Sequence, residues 1–354
     1  MKKIFLPWLL LLLSGCDDQN PVDIQKAYIT LQGQDKVAII NMNNGDIVDY
    51  VDVNFTNTSD MPHYIVIDQT NRYWYCTLIS SGFVLKFDLN TDQMVDSVYV
   101  GNMPALMAID EEREYLYISR FMPSMGLSTS SQLVHKINTR TMTIIGTVDI
   151  GADSPHGIAL SSDGETLWIS SNQSSHFFKI ETNRFGETGY QPENFRIGSD
   201  VPFSYEINDG MYNPLEIELS QDNSKVFITC SNKMQVRVFD AATGDSLDTI
   251  PTGAMPWHLK VSKDDNKIYV VNRMSYSVTV QDLGSGTVDE LSDASMSLLH
   301  GCALSGNDDL MIATSPGSGK AYIFDTSDNK LLQTILFAKG RDSDPLPTGV
   351  AVVQ

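Results

Sequence analysis

Residues Pro155 to Ile180 read PHGIALSSDGETLWISSNQSSHFFKI, and they hold the unit that the rest of the chain repeats. The stretch divides into three short strands. The first, His156 to Leu160, opens after a proline, which has no N–H to give a sheet, and closes at Ser162-Asp163-Gly164, whose Asp-Gly pair tolerates the positive φ of a tight hairpin. Thr166 to Ser171 and His176 to Ile180 are the second and third strands.

Outward from this unit, the opening strand recurs at Pro62 to Ile67, Pro104 to Ile109, Pro155 to Leu160, Pro214 to Leu219, Pro256 to Val261, Leu299 to Leu304 and Pro347 to Val352. Successive starts lie 42, 51, 59, 42, 43 and 48 residues apart, the period of four-stranded propeller blades. Each of the first six copies feeds a second strand: Tyr73 to Ile79, Tyr115 to Arg120, Thr166 to Ser171, Lys225 to Cys230, Lys267 to Asn272 and Asp309 to Thr314. A third strand then ends at Asp88, Asn138, Glu181, Asp240, Asp282 or Asp325, where a carboxylate or amide bonds nearby turn N–H groups. A fourth follows, as in Met94 to Val100 and Leu331 to Leu336.

Lys267-Ile268-Tyr269-Val270-Val271-Asn272, Lys225 to Thr229 and Val238-Phe239-Asp240-Ala241-Ala242-Thr243-Gly244 resemble the Tyr-Val-Thr-Asn (YVTN) repeat with its following turn, over nearly all of the chain after residue 26. The resemblance implies an all-β fold, a seven-bladed β-propeller of four-stranded antiparallel blades. The Trp-Asp and Gly-His signature of the WD40 class is absent. Ala27 to Leu31, Asp35 to Asn41 and Ile47 to Val53 lack an opening strand, whereas Pro347 to Val353 has nothing after it. The last blade is therefore expected to join the two ends of the chain, with Gln354 near the axis.

Ahead of the propeller, Lys2 and Lys3 precede the apolar run Ile4 to Leu13, which is short for a membrane span and long enough for a secretory signal. Leu13-Ser14-Gly15-Cys16 resembles the lipobox of bacterial lipoproteins, in which the cysteine becomes the lipidated first residue. The organisation expected is a signal peptide over 1–15, a lipid anchor and tether over 16–26, and the propeller over 27–354. This places the protein in the bacterial cell envelope, at the inner or outer membrane, on the periplasmic side or the cell surface. Asp17 and Asp18 leave the leaflet open.

Loss of Lys2 and Lys3 takes the net charge from −20 to −22, with 22 basic against 44 acidic residues. That balance excludes nucleic acid and anionic lipid surfaces as partners, which demand a basic face, so membrane contact is expected through the lipid alone. Cys76, Cys230 and Cys302 are assigned to the first, fourth and sixth opening-strand copies, too far apart to bridge, and are expected as free thiols in a monomer. There is no Cys-x-x-Cys-His haem motif and no phosphate-cradling glycine loop, and no cofactor is expected.

Superposed opening strands separate core from channel. Counting from the proline, the third position is Ile65, Met107, Ile158, Ile217, Leu259, Cys302 or Val350, which would fill the space between blades. Positions two and four alternate to the other side, taken as the channel: Tyr64/Val66, Leu106/Ala108, Gly157/Ala159, Glu216/Glu218, His258/Lys260, Gly301/Ala303 and Gly349/Ala351. Glu216 and Glu218 thus face His258 and Lys260 across one seam, either as two salt bridges or, for Glu216 and His258, as a catalytic acid–base pair.

His63, His156 and His300, with Trp257, occupy the first position and would ring one mouth of the channel. Three imidazoles suit a transition metal, but the ring is wide and bonding to a neighbouring blade's backbone is the other role open to them. Arg120 and Arg273 end second strands and would reach the same mouth, unless they are surface arginines. The insertions 54–61, 121–131, 198–213 and 337–346 share that face, and their apolar stretches Phe121-Met122-Pro123-Ser124-Met125 and Val201-Pro202-Phe203-Ser204-Tyr205 would wall a pocket or meet a partner. The expected function is a binding or scaffold module that takes an envelope protein or small molecule at this mouth through His63, His156, Trp257, His258, His300, Arg120 and Arg273. The alternative is an enzyme, since seven-bladed relatives include lactonases, lyases and cofactor-dependent dehydrogenases. As rim side chains, the mouth residues would matter little to stability, and the short turns of the opposite face would be functionally silent.

Overall fold

The computed structural model describes residues 25–101, 103–121, 132–205, 210–341 and 343–354; the signal peptide, Cys16 and most of the 121–131 insertion lie outside them. Seven four-stranded antiparallel sheets form the seven blades of a β-propeller. The innermost strands are Pro62–Asp68, Pro104–Asp110, Pro155–Leu160, Pro214–Leu219, Pro256–Val261, Cys302–Leu304 and Pro347–Val352, each touching the next around a ring. Blade 7 is closed by both ends of the chain: Pro347–Val352 pairs with Lys26–Leu31, which continues to Lys36–Asn41 and Ile47–Asp52. Closure gives every inner strand a second strand to pair with, and its other edge is protected inside the ring.

The third-position side chains fill the space between blades as the alternation requires, from Ile217 and Leu259 at 0% exposure to Ile158 and Val350 at 6%. Cys76 and Cys230 sit on second strands, Tyr73–Leu78 and Lys225–Cys230, and only Cys302 is on an inner strand, which corrects the assignment of all three to inner strands. All three are buried free thiols, and burial pushes each thiol up, to about 12 for Cys230 and Cys302. The outermost strands are the wet ones, as in Met94–Tyr99, where Met94, Val95 and Tyr99 are exposed.

What joins blade to blade is a hydroxyl at the fifth position of the second strand. In most blades the pairing of inner and second strands shifts register between the proline and the third position, a bulge that leaves the second-position N–H without a ladder partner. Thr77 Oγ1 accepts from Tyr64 N and donates to the Ala105 carbonyl of the next blade. Ser119 repeats this between Leu106 N and His156 O, Ser170 between Gly157 N and Leu215 O, and Thr229 between Glu216 N and Trp257 O. Thr314 joins Gly301 N to Thr348 O, and Thr30 joins Gly349 N to His63 O. The seventh equivalent is Val271, which has no hydroxyl, so the seam between blades 5 and 6 lacks the latch. The same close approach explains two inner-strand glycines. A Cβ on Gly157 would lie 2.5 Å from Leu215 O, and one on Gly349 2.3 Å from His63 O, so at these positions the second residue faces the adjacent strand and not open channel.

Turn carboxylates cap the ends of third strands. Asp88, Asp240 and Asp282 each accept two backbone N–H groups two and three residues on, and Asn138 does the same. Glu181 departs from this pattern: the chain enters a 3-10 turn, Thr182–Arg184, before the short outer strand Glu193–Arg196.

Candidate functional site

The inner strands begin at one end of the channel, where their first two side chains converge. Because of the bulge, first and second positions are not strictly opposed, and His258, a second-position residue, joins the first-position imidazoles. His63 and His300 have ring centroids 5.1 Å apart and nearly perpendicular; His258 and His300 are also 5.1 Å apart, and His156 is 6.4 Å from His258. The cluster corrects the expectation of widely spaced histidines: the side chains lean inward across the axis. All four are buried, at 6, 1, 4 and 5% exposure for His63, His156, His258 and His300. They are therefore not rim residues, and replacing them will disturb stability, contrary to the expectation from sequence.

Burial, then the neighbouring imidazoles, pushes His63 down to about 3. Burial likewise lowers His156 to about 4, against the opposing bond to Leu215, and holds His300 well below the ordinary imidazole range. The three rings are neutral at neutral pH. His156 Nδ1 lies 2.8 Å from the Leu215 carbonyl, and its ring meets Phe121 edge-on at 4.5 Å, so this histidine bonds the backbone of the next blade. Among the described residues, no three His, Cys, Asp or Glu side chains converge in a geometry that holds a metal ion.

Glu216 and His258 meet across the seam of blades 4 and 5, with Glu216 Oε2 against His258 Nδ1, and Glu218 meets Lys260 one step further along. Glu216 is 2% exposed, and among the described residues its carboxylate forms an ion pair with His258 alone. Tyr64 stacks on His258 at 6.1 Å with the rings 20° apart. Burial, followed by the charge of Glu216, raises its phenol well above the ordinary value.

Arg273 and Trp257 border the cluster. The guanidinium lies 4.8 Å from the centre of the indole, and burial lowers its pKa. A cavity of about 240 Å³ opens beside them, lined by Trp257, Arg273 and His300 with Gln32, Leu298 and Thr348 among its other walls. Arg120, which pairs with Pro104 at the same end of the ring, does not line this cavity. It ends the second strand of blade 2 with its guanidinium against Gly101, where its charge helps to lower His135.

The other end of the channel, at the turn face, also holds a cavity, of about 420 Å³, with Tyr64, Glu218, Lys260, Lys263 and Gln354 in its wall. The face of short turns thus borders a chamber of its own, and Gln354 lies at the axis as expected. Tyr64, stacked on His258 and facing this vestibule, stands between the two chambers.

Sequence reasoning missed the hydroxyl latches and the joining of His258 to the mouth. The signal for the first was present as the Ser or Thr that recurs at the fifth position of six second strands. The second depends on a bulge that no residue type announces.

No protein-family model matches the chain, and a search of curated proteins gives no match. Solved structures match over almost the whole chain at low identity. A protein of unknown function from Desulfotomaculum acetoxidans superposes with a TM-score of 0.72 at 14% identity, covering 92% of this chain and 98% of that one. The periplasmic gluconolactonase of Pseudomonas aeruginosa gives 0.70 at 14%, covering 94% and 99%. The hydrazine synthase of Kuenenia stuttgartiensis gives 0.65 at 15%, covering 86% and 99%. At such identities the likeness extends to the fold alone.

Proposed function

We propose that this is a YVTN-type propeller lipoprotein of the bacterial cell envelope, secreted on residues 1–15 and lipidated at Cys16, that binds a small molecule at the imidazole-lined mouth of its channel. One observation carries the reading. Buried side-chain nitrogens without a hydrogen-bond partner among the described residues concentrate at this end: both of His63, Nε2 of His258, Nδ1 of His300, Nε1 of Trp257 and Nη1 of Arg273. Buried polar groups are rarely left unpaired, and a ligand that satisfies several at once is held tightly and in one orientation. The lipobox and the periplasmic address in the name of the Pseudomonas aeruginosa relative support the location.

The test is a thermal-shift screen of small metabolites, with hits quantified by calorimetry on wild type, Trp257→Leu and a vestibule variant, Lys263→Ala. Binding lost in the first and kept in the second is expected. Binding lost only in the vestibule variant would move the site to the turn face, and capture of an envelope protein in place of any metabolite would make the mouth a docking surface.

A second reading has its own observation. Glu216 fixes Nδ1 of His258 and leaves Nε2 unpaired beside the channel, the arrangement by which a carboxylate orients a histidine for general-base chemistry. An enzyme that adds water to a lactone would use it so: His258 Nε2 takes a proton from water as the oxygen attacks the carbonyl carbon, then returns it to the departing ring oxygen. Hydrolysis of simple aldonolactones that Glu216→Gln abolishes, with the fold intact, would establish this reading. Its absence across a lactone panel would leave the binding module.

A further inference from the structure

Arg273 lies half-buried without a counter-charge in an acidic chain. Among the described residues, Arg113, Arg140 and Arg184 each meet a carboxylate and Arg72, Arg196 and Arg237 bond neutral oxygens, whereas none of these ion pairs or hydrogen bonds includes the guanidinium of Arg273. Its backbone N–H bonds Met255 O, which fixes the end of the second strand, while the guanidinium rests on Trp257 and leaves Nη1 buried and unpaired. A guanidinium partly withdrawn from water without a counter-charge is costly, and a chain carrying 44 acidic residues has placed none beside it. The positive charge is also felt by the imidazoles, since Arg273 is among the charges that lower His63 and His300.

Trp257 Nε1 and His300 Nδ1 are the other unpaired nitrogens that line the cavity of about 240 Å³ into which Arg273 faces. An indole N–H only donates, a guanidinium only donates, and a neutral imidazole nitrogen donates in one of its tautomers. Leu298, Pro316, Gly317 and Leu346 form an apolar side, with Thr348 and Gln32 as further polar positions. A site that presents donors, one fixed positive charge and a small apolar wall matches one kind of ligand. We infer that the pocket between Trp257, Arg273 and His300 binds the carboxylate of a small organic acid. The carboxylate oxygens accept from the fork of Arg273 and from Trp257 Nε1, and a short carbon body lies against Leu298 and Leu346. Planar two-point recognition of this kind is the guanidinium's particular strength. The cavity volume limits the body to a few carbons, as a water's share of liquid is about 30 Å³.

The inference rests on the mouth being the binding site and adds the chemical class. The test uses the purified chain without a histidine tag and the probes acetate, lactate, succinate and gluconate, each against its uncharged amide, with inorganic phosphate as a further arm. Calorimetry at low salt should show binding of at least one acid, at least tenfold tighter than its amide and weakened by added salt. Arg273→Gln should remove the preference for the acid, and Arg273→Lys should retain charge-dependent binding while losing at least severalfold in affinity with the fork. The melting temperature of Arg273→Gln without ligand should equal or exceed that of wild type, since the change deletes an uncompensated charge; a lower one would mean that the guanidinium is structural, against the inference. Acids bound no better than amides, acid binding unaltered in Arg273→Gln, or no acid bound at all would each overturn it. Binding of phosphate in preference to every carboxylate would overturn the planar group in favour of a tetrahedral one. An uncharged ligand bound at the mouth, lost in Trp257→Leu and kept in Arg273→Gln, would sink the inference and spare the binding function.

Discussion

Lowering the pH from 7 to 5 should destabilise this protein strongly, through the channel imidazoles. His63 and His156 titrate at about 3 and about 4 in the fold because burial disfavours their charged forms, and His300 is displaced in the same direction. In the unfolded chain a histidine titrates near 6.5. The unfolded state therefore takes up protons first. The stability contributed by keeping these rings neutral is fully present above pH 6.5 and is lost as the pH falls below it, until the folded values are reached. One pH unit is worth about 1.36 kcal/mol per group, so at pH 5 His63 and His156 together withdraw about 4 kcal/mol. Domains are stable by only about 5–15 kcal/mol. The carboxylates capped by turn N–H groups, such as Asp88 and Asp240, are displaced downward. They surrender their contribution only as the pH drops through the acidic range below about 4, which leaves pH 5–6.5 to the imidazoles. Urea midpoints measured at half-unit steps from pH 7.5 to 5 should fall continuously below 6.5, and His156→Gln should show a shallower fall by about one proton's slope. A flat midpoint over that range, or an unchanged slope in the variant, would refute the argument that buried neutral histidines fill the mouth.

Other consequences are as direct. Thr229→Val removes a hydroxyl that serves Glu216 N and Trp257 O, and should cost about 2–4 kcal/mol by urea unfolding, since two buried backbone groups lose a partner. The reverse change at the unlatched seam, Val271→Thr, keeps the volume and should stabilise by about 1 kcal/mol; a loss would show that this seam is open for another reason. Glu216→Leu leaves His258 without its buried partner and should cost about 3 kcal/mol in the same assay. Deleting residues 346–354 removes the inner strand of blade 7 and exposes the edge of Lys26–Leu31, so the product should aggregate on expression; a soluble truncation with one cooperative melt would contradict the closure.

The fold was legible in the sequence because the proline at each blade start is a steric statement: it marks the one strand whose first residue gives no ladder bond. Six of the seven copies carry it, and the seventh, which has Leu299 in its place, pairs over the shorter stretch Cys302–Leu304. Glu216 and His258 were legible as a pair because equal positions on adjacent blades are neighbours whatever the detail. The grouping of His258 with His63 and His300 was not, because strict alternation assigns first and second positions to opposite sides, and a bulge cancels that rule locally. Arg120 and Arg273 differ by one step of the strand alternation: Arg120 is the sixth residue of its second strand and lies against Gly101, whereas Arg273 follows the sixth residue, Asn272, of its own and lies on Trp257 of the same blade.

The joining of blade 7 from both ends of the chain also fixes a direction. Gln25 bonds Met42 and Lys26 bonds Val353, and Gly306, in a turn of the vestibule face, lies against both Gln25 and Gln354. Residue 25 therefore stands at the turn face. Any attachment made through it holds the ring like a cup set on its base, with the Tyr64 vestibule turned toward the support and the imidazole mouth facing outward. On the proposed anchorage, Trp257 and Arg273 would be the first residues a solute from the surrounding fluid meets.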